Sequence, residues 1–243
     1  MVGVPGAMGA WLAEIRDLLI PRGCAGCDRP DYALCPRCAT EFRQCEAWRE
    51  PVSGVACYAC ASYRGFARRA VLSWKDHGDL ELDAVFSDAI ARMVRSCVAA
   101  GRLDRSGVPV GSQAPVLVVP APSSFASVSR RGRRQVTPLA NAVAEGLAAC
   151  GVEARAVEAL RMRGVHAKAV QTASGRDRAG RIAGRIVPVR PVPMAGARVI
   201  LVDDIITTGA TIRQCAQVVE RESGTVVAAV ALARTHAPGR YAL

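Results

Sequence analysis

Long apolar runs are missing from this chain. No segment approaches the roughly 18 consecutive apolar residues that would suggest a membrane span, so none is expected. A signal peptide is not expected either. The N-terminus lacks a basic start, and Glu14, Arg16 and Asp17 interrupt its apolar stretch, so the expected location is cytoplasmic. Aromatic residues are scarce, at 5%. With 51% hydrophobic residues overall, the core must be sizeable but mostly aliphatic and alanine-rich. Histidine is nearly absent: His77, His166 and His236 stand singly and read as surface or loop residues. Acids are outnumbered, 21 against 32 Lys and Arg, for a net charge of +11. That balance points to anionic partners, either phosphorylated small molecules or nucleic acid.

Cysteine, in contrast, is plentiful. In a cytoplasmic chain ten cysteines do not read as a disulfide framework. Four of them form Cys24-Ala25-Gly26-Cys27 and Cys35-Pro36-Arg37-Cys38, separated by seven residues. Each knuckle sets two thiolates on a tight turn, and two such turns complete a tetrahedral zinc site. Gly26 and Pro36 suit the turns, and Arg22, Arg29 and Arg37 would offset the charge of four thiolates. The set Cys24, Cys27, Cys35 and Cys38 is closed and therefore reads as structural. A redox role would call for a thioredoxin-like βαβ context, and none follows. Cys57-Tyr58-Ala59-Cys60 reads as a third knuckle with an incomplete partner at Cys45, because Trp48 stands where a second cysteine is wanted. It is expected to be a half-ribbon without metal. Cys97, Cys150 and Cys215 fall singly in helical patterns, as buried thiols do.

The most informative stretch runs from Val199 to Thr211, Val-Ile-Leu-Val-Asp-Asp-Ile-Ile-Thr-Thr-Gly-Ala-Thr. Four apolar residues closed by Asp203 and Asp204 read as a buried strand arriving at a surface. After Ile205 and Ile206 comes a loop of hydroxyls and glycine. A helix follows, with Ile212, Cys215, Ala216 and Val219 on one face. A helix start offers free N–H groups and the positive end of its dipole, which suits a phosphate. Gly209 lets the backbone approach the anion, and Thr207, Thr208 and Thr211 add hydroxyl donors. Carboxylates so close would repel a phosphate. Asp203 and Asp204 are therefore expected to accept bonds from sugar hydroxyls or to face a hydrated metal.

Elsewhere the periodicity alternates. Residues 8–20 read as a short amphipathic helix ended by Pro21 and Gly23. Helices are expected from Tyr63 to Trp74, over 80–99, and from Val136 to Leu147. Residues 101–115 lack periodicity and read as a linker or surface loop. Val116–Val119 and Val226–Leu232 read as short buried strands. A basic run, Arg130-Arg131-Gly132-Arg133-Arg134, precedes the third helix and makes a plausible polyanion contact. A second concentration over 161–185 includes Arg178 and reads as a polar lid. Aromatics are absent from that lid, so base stacking on it is not expected. The alternation implies a parallel sheet with helices on both faces, an α/β fold. Two domains are expected: a helix and zinc module over 1–62, and an α/β domain over 63–243.

Residues 199–211 resemble, position by position, the signature of type I phosphoribosyltransferases, which bind 5-phosphoribosyl-1-pyrophosphate (PRPP). The order of a short helix, Pro21, paired zinc knuckles, Tyr63-Arg64-Gly65, Trp74-Lys75, Arg131-Gly132 with Gln135, Gln171 and then the signature is similar to the ComF family. That family includes the competence protein ComFC and the GntX-type proteins. The resemblance covers residues from about 10 to 235. It departs at three places: where the family usually reads Arg-Gly-Phe-Asn-Gln against Arg131-Gly132-Arg133-Arg134-Gln135, where Arg181 stands in place of an Asn, and in the incomplete second ribbon at Cys45, Cys57 and Cys60.

The resemblance implies a type I phosphoribosyltransferase-like sheet preceded by the zinc module. It implies that Asp203 and Asp204 hold the ribose hydroxyls and act at the catalytic centre. Thr207, Thr208, Gly209, Ala210 and Thr211 would bind the 5-phosphate, with Mg²⁺ accompanying PRPP. Arg131, Arg133, Arg134 and Arg178 would contact pyrophosphate or nucleic acid. It further implies a link to DNA uptake, with single-stranded DNA and a competence helicase as partners. The alternative is an active enzyme moving phosphoribose from PRPP to an unidentified nucleobase-like acceptor.

Overall fold

The computed structural model describes residues 23–50, 53–76, 79–103, 116–123, 125–163, 185–192 and 194–236. The helix expected at 8–20, most of the expected linker and the central part of the expected lid, with Arg178, lie outside the described residues.

Pro36 at the first turn opens a one-turn helix α1 (Pro36–Ala39), continued by a 3-10 turn (Thr40–Arg43). A hairpin follows, β1 (Glu46–Arg49) and β2 (Ala56–Ser62). Helices α2 (Gly65–Asp76) and α3 (Glu81–Ala99) come next. In α3 the buried residues Leu82, Phe86, Ala89, Ile90, Met93, Val94 and Cys97 recur at three- and four-residue steps. Glu81 and Asp83 in its first turn favour the positive end of the helix dipole. Then follow β3 (Val116–Pro120), α4 (Phe125–Arg131), α5 (Thr137–Ala148), β4 (Ala154–Ala156), β5 (Leu160–Met162) and β6 (Ile186–Pro188). The chain closes on β7 (Arg198–Ile206), α6 (Ala210–Arg221) and β8 (Thr225–Arg234).

Among the described residues the main sheet has six strands in the order β1-β2-β8-β7-β3-β4. Only β1 is antiparallel to its neighbour; the other pairings are parallel. β5 and β6 form a separate antiparallel pair. Alternation along β7 sends Ile200 and Val202 into one apolar cluster with α3 and α5, and Val199 and Leu201 into another with α6. The sheet is thus covered on both faces, as the strand–helix alternation implied. Gly146 of α5 lies so close to α3 that a Cβ there would stand 3.0 Å from the Ala91 carbonyl oxygen.

Three features differ from the sequence reading. β7 does not stop at the acids: Asp203 pairs with Ala231 and Ile205 with Ala233 of β8, because the β-branched pair Ile205-Ile206 carries the strand on. Cys57 and Cys60 form no knuckle. They lie on β2, three residues apart and so on opposite faces, in separate apolar clusters. The residues before Tyr63 also contribute β1 and β2 to the main sheet, with Tyr58 and Ala59 paired to Val230 and Ala231.

Candidate functional site

The carboxyl end of β7 lies where the chain's connections part. From β3 the chain passes through α5 to β4 on one side; from β7 it passes through α6 to β8 on the other. In an open parallel sheet, such a switch point leaves a crevice between loops that turn opposite ways. The strand order therefore sets Asp203 and Asp204 at the crevice.

Gly209 caps α6 with φ 72°, the left-handed region that favours glycine. It turns the chain from the end of β7 into α6. No acid stands in the first turn of α6, and Thr207 and Thr208 are exposed. Thr207 to Thr211 form a bend and a helix start.

Asp204 is 8% exposed, and its Oδ2 lies 2.7 Å from Lys75 Nζ. The Asp204 amide donates to Asp203 Oδ1 at 2.8 Å. Burial, and then the neighbouring Asp204 charge, push the Asp203 carboxyl up to about 8, against the opposing pull of that amide and of Lys75. The two carboxylates are crowded, and among the described residues Lys75 is the cation paired with one of them, so the pair suits a further cation or hydroxyl donors.

Two supporting residues were missed by sequence reasoning. The sequence puts Lys75 in a polar turn after Trp74, whereas the structure keeps it in the last turn of α2. Its position is set by the buried Trp74, whose indole N–H donates to Asp83 Oδ1 at 2.5 Å and whose carbonyl accepts from the buried Gln135 amide. Glu50, in the β1–β2 connection, is 1% exposed. It accepts from the Ser53 amide at 2.6 Å, the Ser53 hydroxyl at 2.7 Å and Arg213 of α6. Arg213 also donates to the Thr208 carbonyl at 3.1 Å. A Cβ on Gly209 would stand 2.8 Å from Glu50 Cγ. The hairpin connection and α6 therefore clamp the Thr208-Gly209 bend between them. Against burial, the Ser53 donors and Arg213 hold the Glu50 carboxyl below the usual carboxylate range. A lone glutamate between strands carries no pattern, so only its partners reveal it.

The basic run is largely committed to internal pairs. Arg133 pairs with Asp83 and lies 5.9 Å from the Trp74 ring centre. Arg134 pairs with Glu158, which also accepts from the Thr137 hydroxyl at 2.9 Å. Arg131 is half-buried. A cavity of about 300 Å³ opens beside the loop after β3, with Ala121, Ser123, Arg134, Glu158 and Arg161 on its wall. It adjoins β7 through the Ala121 amide, which donates to the Val202 carbonyl at 2.7 Å, one residue before Asp203.

The four-cysteine cluster stands apart from the crevice. The sulfur atoms of Cys24, Cys27, Cys35 and Cys38 all lie within 4.8 Å of one another. Cys27 and Cys35 are 3.6 Å apart, close to the edge of roughly 3.8 Å that follows from tetrahedral zinc–sulfur bonds of about 2.3 Å. Amides of Gly26 and Cys35 point at Cys24 Sγ from 3.4 and 3.2 Å. Against burial, the backbone amides of Cys35, Gly26 and Cys27 bring the Cys24 thiol down to about 7. A Cβ on Gly26 would lie 2.7 Å from Cys38 Sγ, so only glycine fits the knuckle. The donor set and spacing fit zinc in a closed site.

No family model matches the chain, and no curated protein matches it. Similar solved structures include phosphoribosyltransferases. An HPRT with asparagine in place of an invariant aspartic acid is 12% identical, with 66% of this chain and 71% of that one covered, at a TM-score of 0.39. A Trypanosoma cruzi hypoxanthine phosphoribosyltransferase in complex with its substrates is 14% identical, covering 66% and 73%, at 0.38. An adenine phosphoribosyltransferase is 15% identical, covering 82% and 89%, at 0.34. Likenesses this loose carry no functional argument, which rests instead on the strand order and the residues at the end of β7.

Proposed function

We propose that the chain binds PRPP at the carboxyl end of β7, as a ComF-like protein with a phosphoribosyltransferase-type site. The observation that carries this reading is the conjunction of a crowded acid pair with a glycine-capped helix start six residues on. In it the 5-phosphate lies on the first amides of α6 and the hydroxyls of Thr207, Thr208 and Thr211. Asp203 and Asp204 accept the ribose hydroxyls. The pyrophosphate extends toward the loop after β3, where Arg134 and Arg161 line the cavity.

Mg²⁺ fits the acid pair, because carboxylate oxygens suit a hard cation and the pair is short of positive charge. Asp203 and Asp204 are the residues that would hold it, and it would neutralise the leaving pyrophosphate. Asp204 Oδ2 is engaged by Lys75, so the lysine shares or yields that oxygen when PRPP arrives. Transfer itself requires holding the ribose while C1 gains oxocarbenium character and pyrophosphate departs. The DNA-handling part of the reading rests on the +11 net charge and on the resemblance.

Titration calorimetry of the zinc-loaded chain with PRPP and Mg²⁺ tests the proposal. Saturable heat is expected, lost when both Asp203 and Asp204 become Asn. No heat from a folded, metal-loaded sample would overturn it.

A further inference from the structure

Outside the crevice and the four-cysteine cluster, a second group of sulfurs gathers where the β1 strand meets α3. Cys45, just before β1, and Cys97, in the last turn of α3, have sulfurs 2.9 Å apart. Cys60 of β2 lies in the same apolar cluster, and its thiol donates to Met93 Sδ at 3.7 Å. The two members of the close pair differ in environment. Cys97 is buried, and burial followed by the hydrogen bond with Cys45 drives its thiol well above the ordinary range. Cys45 is half-exposed and borders a cavity of about 300 Å³ shared with Phe42, Arg43, Arg92, Met93 and Ser96. Arg102 Nη1 lies 3.9 Å from the Cys45 sulfur. Arg92 is paired with Asp88, while Arg43 on the cavity wall and Arg102 beside Cys45 add positive charge.

We infer that Cys45 and Cys97 form a reversible disulfide by exchange with an acidic low-molecular-weight disulfide of the glutathione type. The attacking form is a thiolate. Cys45 is the sulfur that the cavity reaches, and Arg102 beside it can hold a carboxylate of the incoming disulfide. Its thiolate attacks one sulfur of the small disulfide, which breaks and releases one thiolate, leaving a mixed disulfide on Cys45. Cys97 lies within reach behind it. As Cys97 gives up its proton to solvent or to the departing thiolate, its sulfur attacks Cys45 Sγ and expels the second small thiol. Two protein thiols are oxidised and one small disulfide is reduced to two thiols. The bond joins residues 52 apart in sequence and staples the start of β1 to α3. The carboxylates of the small disulfide match Arg43 and Arg102, and the buried resolving thiol lies too deep to be the first target.

The test uses the full chain, zinc-loaded, incubated with oxidised glutathione, blocked with N-ethylmaleimide, digested with trypsin and analysed by mass spectrometry. Trypsin frees Cys45 in peptide 44–49 and Cys97 in peptide 96–102, each holding one cysteine. The expected product is these two peptides joined, with two hydrogens lost, and separated again by dithiothreitol. In Cys97→Ser, peptide 44–49 is expected to retain glutathione, because the resolving thiol is gone. Peptide 44–49 carrying glutathione or maleimide in the wild-type chain, with no joined species, would overturn the inference. So would a joined species that pairs Cys45 with Cys60. The wild-type digest decides the matter even if the serine variant fails to fold.

Discussion

At the scale of single residues, the site depends on charges placed where burial works against them. Asp203 has a carboxyl held near 8, far above the value of roughly 3.9 expected in an unfolded chain. Between those values the folded chain binds more protons than the unfolded one. Its contribution to stability is therefore present at low pH and falls as pH rises through that window. Asp203→Asn should match the wild type near pH 4 and exceed it in unfolding free energy by about 1–2 kcal/mol at pH 8, less than a full shift implies because Asp203 keeps some solvent contact. Urea titrations across that pH range check it; an equal gain at both ends would contradict the assignment. Glu50 works the other way, since Ser53 and Arg213 stabilise its charge. Glu50→Gln should cost about 1–3 kcal/mol of stability and weaken PRPP binding by about tenfold, because Arg213 loses its partner and the Thr208-Gly209 bend loses its clamp. Unchanged PRPP affinity in a folded variant would remove Glu50 from the site.

At the scale of elements, the cysteine knuckles and the helices α2 and α3 are one construction. Arg37 of α1 lies 5.1 Å from the Phe66 ring centre of α2, and Phe42 packs on Phe86 of α3 with ring centres 4.9 Å apart. Trp74 meets Phe86 edge-on at 5.3 Å, so the same aromatic group connects the knuckles to the segment that carries Lys75. Metal removal should therefore reach the crevice. A chelator strong enough to strip the four thiolates is expected to lower Tm and weaken PRPP binding together, with zinc restoring both. Loss of zinc with neither change would show the module to be independent. Helices and buried strands were legible because apolar spacing alone specifies them: α3, α5 and β3 fall where periodicity put them. The knuckles were legible because the ligand spacing is itself the chemistry. The strand character of residues 56–62 was hidden, since two cysteines three apart look the same on a turn and on a strand. Burial by β8, far along the chain, decides between them.

At the scale of the whole molecule, the arginine run at 130–134 overstates the positive charge it offers a polyanion. Arg133 and Arg134, read from sequence as polyanion contacts, are committed to Asp83 and Glu158. Sequence order could not show this, because both acids are remote from the run and reach it only through the packing of α3 and of the segment after β4. If single-stranded DNA binds, converting Arg131, Arg133 and Arg134 together to Ala should lower the salt slope of binding by no more than about 0.7, the share of one phosphate contact. Fluorescence anisotropy over a salt series measures it, and a loss near 2 would mean that the internal pairs open for DNA. The acid pair and the loop, by contrast, adjoin in the sequence, and strand order sets them at the crevice. The most direct measurement of the central claim is the crystal structure of the chain with PRPP and Mg²⁺. The 5-phosphate is predicted on the amides at the start of α6, the ribose hydroxyls on Asp203 and Asp204, and the pyrophosphate toward the loop after β3. PRPP bound elsewhere, or that loop empty at saturating PRPP, would contradict the account.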